Sequence, residues 1–126
     1  ISCSLVGSEM CIRDRDNLCA VVDRNRLQIS GNTEDVMGHD DLHERFRSFG
    51  WHVIDVKDGN DIDELHAAFE EAKCVKEKPT VLIANTVKGK GSSIMENKAN
   101  WHHKVPTPEE YETIMKDLKT AEEALS

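Results

Sequence analysis

Apolar residues recur from Asp16 onward in short blocks of changing period, and each change marks an element. Residues 18–22 (LCAVV) form a continuous apolar, β-branched run, which predicts a strand buried on both faces. The run ends in Asp23, and the polar stretch 24–33 carries Gly31 and Asn32 as turn residues. Leu42, Phe46 and Phe49 fall at i, i+4 and i+7, predicting a helix over 39–49 that Gly50 stops. Residues 51–56 (WHVIDV) alternate as a strand does, and Asp58, Gly59 and Asn60 then turn the chain. Asn60 or Asp61 caps the next helix, whose expected apolar face is Ile62, Leu65, Phe69 and Ala72. Pro79 resets the chain before a third buried strand at 80–84 (TVLIA), and a glycine- and lysine-rich loop follows over 88–105. Thr107, Pro108, Glu109 and Glu110 make a capping box with proline at the first helical position. Tyr111, Ile114, Met115 and Leu118 give that last helix one apolar face.

Strands alternating with helices in this order predict an α/β fold, a mostly parallel sheet with flanking helices. In such sheets ligands gather at the carboxyl ends of the strands. Here those ends are residues 23–28, 57–60 and 86–93.

Composition narrows the function classes. The chain has 126 residues, room for one domain by count. Sixteen Lys and Arg against 24 Asp and Glu give a formal net charge of -8. That balance argues against a general nucleic-acid binder and against an anionic membrane surface as partner. No apolar run approaches the roughly 18 residues that a membrane-spanning helix needs. Residues 1–15 follow neither a strand nor a helix period, and we expect a non-native or disordered leader there, with the domain over 16–126. The four cysteines show no C-x-x-C pair or zinc spacing, so no disulfide scaffold is expected. Cys19 and Cys74 read as small buried thiols, and the cytoplasm is the expected compartment.

Two of the three strand ends carry distinctive chemistry. In the first, VVDRNRLQISG, Asn25 offers a neutral amide oxygen suited to a hard divalent cation that draws its anionic ligands from elsewhere. Leu27 and Ile29 are apolar residues in a polar turn and could line a cofactor ring. The plain alternative is that Asn25 shapes the turn while Leu27 and Ile29 plug the sheet edge.

The second end reverses the charge of the chain. Between residues 73 and 104 stand seven lysines and two acids, Glu77 and Glu96, a window of +5 in a chain of -8. Lys88, Gly89, Lys90, Gly91, Ser92 and Ser93 begin where the third strand ends, where glycines would let backbone N–H groups approach a phosphate. The spacing is not that of a Walker A loop. Trp101, His102, His103 and Lys104 add imidazole and ammonium groups, and such a histidine can orient a phosphate or shuttle a proton. Together the two loops suggest a magnesium diphosphate site and an anionic substrate, against the alternative of a solvated charged face.

Read together, DNL through VVDRNRLQISG, then RSFGWHVIDVKDGND, then KPTVLIANTVKGKGSSIMENKANWHHKVP resembles the transketolases. The likeness is nearest to the N-terminal subunit of the split bacterial and archaeal enzymes and covers Asp16 to about Leu118. It implies part of a Rossmann-like domain that binds thiamine diphosphate with Mg2+. Carried over on that resemblance, Asn25 is the side-chain magnesium ligand and Leu27 supplies a backbone carbonyl to the metal. Ile29 touches the thiazolium end, and His102 lies near the diphosphate and the reacting end of the substrate as the catalytic candidate. Lys88 matches a basic cofactor-binding position and Lys104 a basic position suited to a substrate phosphate. The implied reaction is transfer of a two-carbon ketol unit between sugar phosphates, in the pentose phosphate pathway, with a C-terminal subunit or domain as partner in a dimer or heterotetramer.

Departures accompany the resemblance. Ser30 stands where relatives have Asp, and His103 where they have Gly, which matters if that position needs φ > 0. The G-D-G motif carrying the family's second metal ligand is absent, as is the glutamate that activates the aminopyrimidine. The isolated chain is therefore expected to be an inactive piece of the enzyme. The competing readings are a non-enzymatic α/β module binding an anionic metabolite or partner protein, and a piece of another thiamine-diphosphate enzyme such as a deoxyxylulose-phosphate synthase. A G-D-G about twenty to thirty residues before Asn25 in the parent frame separates the first reading from the module.

Overall fold

A computed structural model of the chain describes residues 15–28, 31–36 and 41–124. In chain order the elements are β1 (Cys19–Arg24), β2 (Leu27–Gln28), β3 (Gly31–Asn32), α1 (Thr33–Val36), α2 (Leu42–Ser48), β4 (His52–Val56), α3 (Ile62–Cys74), β5 (Thr80–Asn85) and α4 (Pro108–Ala124). The chain divides into two units, residues 1–24 with 39–86, and residues 25–38 with 87–126.

The first unit is the expected parallel sheet. Its order is β1-β5-β4, with Val21, Leu82 and Ile54 in register across the three strands. The central strand is the most hidden: Val81, Leu82 and Ile83 are 0% exposed. On one face, Leu82 and Ala84 pack with Ile54 and Val56 of β4 and with Ala68 and Ala72 of α3. Asp61 caps α3, its carboxylate accepting from the Asp63 and Glu64 amides at 2.8 and 3.1 Å.

The face of α3 differs from the expected one. The inward residues are Leu65, Ala68 and Ala72, whereas Ile62 is 80% exposed and Phe69 also faces solvent. At about 100° per residue, Ile62 and Phe69 lie roughly 70–90° round the helix from that inner line. The two alanines let the helix backbone come close to the sheet, and the larger residues fall at its margins.

The strand expected to be buried on both faces is instead exposed at every second residue. Cys19, Val21 and Asp23 face outward on β1, and Val21 is 51% exposed. A helix about 10 Å across covers about two strands spaced ~4.8 Å apart, so α3 shields β5 and β4 and leaves β1 open. For the same reason the Cys19 thiol is exposed, and Cys74 is exposed too; neither is a buried thiol, and both are free.

Helix α2 starts after Asp41, whose carboxylate accepts from the His43 amide at 2.9 Å, and Gly50 ends it with φ +82°. The start expected at His39 falls outside the described residues. Phe49 is the C-cap rather than part of the apolar face and is exposed, while Phe46 meets Trp51 edge-on at 5.6 Å.

In the second unit, β2 pairs antiparallel with β3, a ribbon within a stretch expected only to turn. Helix α4 opens with the expected capping box: Glu110 N–H donates to Thr107 Oγ1 at 3.3 Å, and Thr107 N–H to Glu110 Oε2 at 3.0 Å. Its apolar face is only half covered, with Tyr111 and Leu118 exposed. Residues 1–14, which hold nearly all of the expected leader, lie outside the described residues. No helix among the described residues is long and apolar enough to cross a membrane.

Candidate functional site

Asn25, Leu27, Lys88, His102 and Lys104 all belong to the second unit, and they form two local groups. Ile29 and Ser30 lie outside the described residues.

The first group is a turn set by Asn25. Its side-chain oxygen accepts the Leu27 N–H at 2.9 Å, an Asx turn. The turn places Arg26 in the left-handed region at φ +59°, and Thr33 N–H then donates to Arg26 O at 2.9 Å. An amide oxygen has two acceptor directions, so the one not used by Leu27 can face a cation. A neutral amide oxygen, together with a backbone carbonyl such as that expected of Leu27, is the donor type suited to Mg2+ beside a diphosphate. Among the described residues no group of three or more His, Cys, Asp or Glu side chains could hold a metal. The turn therefore fits part of a magnesium site and needs anionic ligands to complete it.

The second group is the loop after β5. Gly89 and Gly91 take φ values of +71° and +93°, so glycine is demanded at both. A Cβ on Gly89 would sit 2.8 Å from the Met95 Cβ. Of the backbone N–H groups expected to approach a phosphate, those of residues 90–93 are already donated within the unit. Lys90 N–H goes to Val87 O at 3.2 Å, Ser92 N–H to Gly89 O at 3.2 Å, and Asn97 N–H to Lys88 O at 3.0 Å. Gly91 N–H and Ser93 N–H donate to the Glu96 and Asp117 carboxylates at 3.0 and 2.8 Å. The Ser93 hydroxyl also donates to Asp117 and, with that amide, holds its carboxyl below the usual range. With these four N–H groups engaged, the loop's lysine ammonium groups are what it offers an anion.

At the end of this loop a short 3-10 turn, Ala99–Trp101, buries the indole of Trp101, whose N–H donates to Ile94 O at 2.9 Å. The Lys104 ammonium lies 4.3 Å from the Trp101 ring centroid and pairs with Glu110. That pairing, with the Thr107 amide, keeps the Glu110 carboxyl below its ordinary value. A cleft of about 350 Å³ opens here between Lys98, Trp101, Lys104 and Glu110. His102 and His103 are exposed, with rings edge-to-face at 4.3 Å. His102 is right-handed helical at φ -64°, and His103 is not among the positive-φ residues, so its backbone does not require the glycine that the resemblance leads us to expect there.

Sequence reasoning passed over a row of side chains at the carboxyl ends of the first unit's strands. Asn85 Nδ2 donates to Asp55 Oδ1 at 3.1 Å and to Val56 O at 2.9 Å, joining β5 to β4. The Thr86 hydroxyl donates to the Asp23 carboxylate, joining the end of β5 to β1. The available signal was topological: polar residues at the last positions of neighbouring strands lie side by side.

Three comparisons bear on this geometry. The family model described as transketolase, thiamine diphosphate binding domain, matches residues 2–121. An apulose-4-phosphate transketolase subunit from Phocaeicola vulgatus is 44% identical over 110 residues, 87% of this chain and 39% of that protein. The 6-deoxy-6-sulfo-D-fructose transketolase subunit SqwG of a Clostridium species is 37% identical, over 85% of this chain and 38% of that protein. Among solved structures, the transketolase of Campylobacter jejuni matches 92% of this chain with a TM-score of 0.78 at 24% identity, over 18% of its own length. The Pichia stipitis transketolase complex with sedoheptulose-7-phosphate matches at TM-score 0.62 and 26% identity, over 92% of this chain and 21% of its own. The chain spans under two fifths of the length of these relatives.

Proposed function

The chain belongs to the transketolase family, in its thiamine-diphosphate-binding domain, and on that premise we propose that it is the diphosphate-side part of a ketol-transferring enzyme. The observation that carries the reading is the Asn25 turn at the end of β1, in which Asn25 Oδ1 accepts the Leu27 N–H and keeps a second acceptor direction for a hard cation. When bound, thiamine diphosphate supplies the carbanion-stabilising chemistry of the reaction. The residues of this chain bind and orient. Asn25 and Leu27 would hold part of a Mg2+ shell, and the Lys88 ammonium would meet diphosphate charge. His102, exposed beside His103, would orient an anionic group or hold a proton at its imidazole. Lys104 would reach a substrate phosphate by exchanging its Glu110 partner for it. Ile29, outside the described residues, would touch the thiazolium end of the cofactor, as the resemblance implies.

The names of the relatives mention a sugar phosphate and a sulfo-sugar, and both are anionic ketose chemistry suited to a lysine-rich loop. A transketolase C-terminal subunit or domain is the partner of this reading, in a dimer or heterotetramer, with the cytoplasm as its setting. Because two neutral oxygens do not retain a reluctantly dehydrating ion, the isolated chain would be inactive. The test is exchange of residues 16–121 into the matching segment of the Phocaeicola vulgatus protein, reconstituted with its partner subunit. Thiamine-diphosphate-dependent ketol transfer by the exchanged enzyme supports the reading; a folded, assembled but inactive enzyme that takes up no cofactor overturns it.

A further inference from the structure

We infer that Asp23 and Thr86 form a clasp that positions the two loops proposed to hold the diphosphate and its metal. This rests on the function proposed above for the placement of those loops, but the clasp itself stands on the geometry of the first unit.

The chain passes from the first unit to the second at residues 24/25 and again at 86/87. One passage leads directly into the Asn25 turn, and the other reaches Lys88 two residues later. At the boundary, Thr86 is fixed from three directions. Its hydroxyl donates to the Asp23 carboxylate, and its backbone N–H donates to Arg24 O at 3.3 Å. Its methyl group occupies the space beside Gly59, where a Cβ would come within 2.7 Å of Thr86 Cγ2. Gly59 is itself held by donation of its N–H to Asn85 O at 2.8 Å.

These contacts ask for threonine specifically. Valine would keep the methyl packing and lose the donor; serine would keep the donor and lose the packing. A β-branched residue with restricted χ1 and both branches engaged leaves little freedom to the backbone that follows. Asp23 plays the same part on the other strand: in register with Ala84, it sits two residues before Asn25. Neither side chain is offered as a ligand. They are positioning residues, acting through Asn25 and Lys88, and they set where both loops leave the sheet.

Amide hydrogen exchange on the full chain, with no cofactor present, reads this directly. The reporters are the Leu27 amide, which donates to Asn25, and the Asn97 amide, which donates to Lys88 O. Thr86→Val should accelerate exchange at both by about tenfold while the Leu82 amide in the central strand is unchanged, and Thr86→Ser should restore most of the protection. Asp23→Ala, at an exposed side chain, should reproduce the Thr86→Val pattern and serves if that variant does not fold. Unchanged exchange at Leu27 and Asn97, or equal acceleration at Leu82, overturns the clasp. Calorimetry of Mg2+ and thiamine diphosphate on the exchanged enzyme separates the two readings. If even the unmutated exchanged enzyme does not bind, the proposed function fails while the exchange result still decides the clasp.

Discussion

His43 Nε2 lies 2.9 Å from Asp55 Oδ1, tying α2 to the edge strand β4, while His43 Nδ1 lies 3.1 Å from the Asp41 carboxylate that caps the same helix. The His43 contact, followed by those of Asn85 and the Arg24 charge, holds the Asp55 carboxyl below its ordinary range. A carboxylate whose folded pKa is depressed stabilises the fold above its unfolded value of about 3.9, and that stabilisation is lost as pH falls through the folded value. Removing His43 should therefore flatten the acid limb of the stability curve. Thermal melts of the chain and of His43→Ala between about pH 5 and pH 2 check this. The two curves should converge as the pH drops, and parallel curves would show that the contact contributes nothing. The pair is partly exposed, so the increment is small and decreases with salt.

The uneven cover of the sheet gives a contrast between two register partners. Leu82 and Val21 lie side by side on the α3 face, yet Leu82 is 0% and Val21 is 51% exposed. Leu82→Ala should cost about 2–5 kcal/mol, a large share of the stability of so small a fold. Val21→Ala should stay within about 0.5 kcal/mol. Urea unfolding followed by circular dichroism measures both. Similar losses at the two positions would mean that β1 is covered as well as β5.

Helix α4 depends on its first turn, because none of its residues is fully buried. Thr107→Ala removes the hydroxyl that accepts the Glu110 N–H and should cost about 1 kcal/mol of local helix stability. The expected readout is roughly fivefold faster amide exchange at Glu110 and Tyr111, with little change in the unfolding of the sheet. Unchanged exchange would show that the helix is held by something other than its cap.

Much of this architecture was written in local chemistry. The three parallel strands, the Asp61 cap, the Gly50 stop and the Thr107 box each follow from residues a few positions apart, so reading along the chain finds them. What failed depended on neighbours distant in sequence. The run 18–22 has the composition of a strand buried on both faces, but one helix cannot cover three strands, and Cys19 and Val21 stay open. Ile62 and Phe69 count as an apolar face by spacing, whereas the helix is aimed by its two small alanines against Ile54 and Leu82. The glycine-rich loop was recognised by composition, but composition does not say which acceptors its N–H groups meet; Glu96 and Asp117 take two of them. Asn25 was visible from its place after the first strand, and Asp23, Thr86 and Asn85 were not, because their partners come from strands about 30 to 60 residues away.

Asn25 as an oxygen donor to a metal held with a diphosphate is the central claim. The most direct measurement is titration calorimetry of Mg2+ with thiamine diphosphate against three proteins: the chain alone, the exchanged enzyme carrying residues 16–121, and that enzyme with Asn25→Ala. Binding should appear only in the exchanged enzyme with Asn25 intact, since the chain alone offers two neutral oxygens and the alanine variant loses one of them. Undiminished binding by the Asn25→Ala enzyme would contradict the claim.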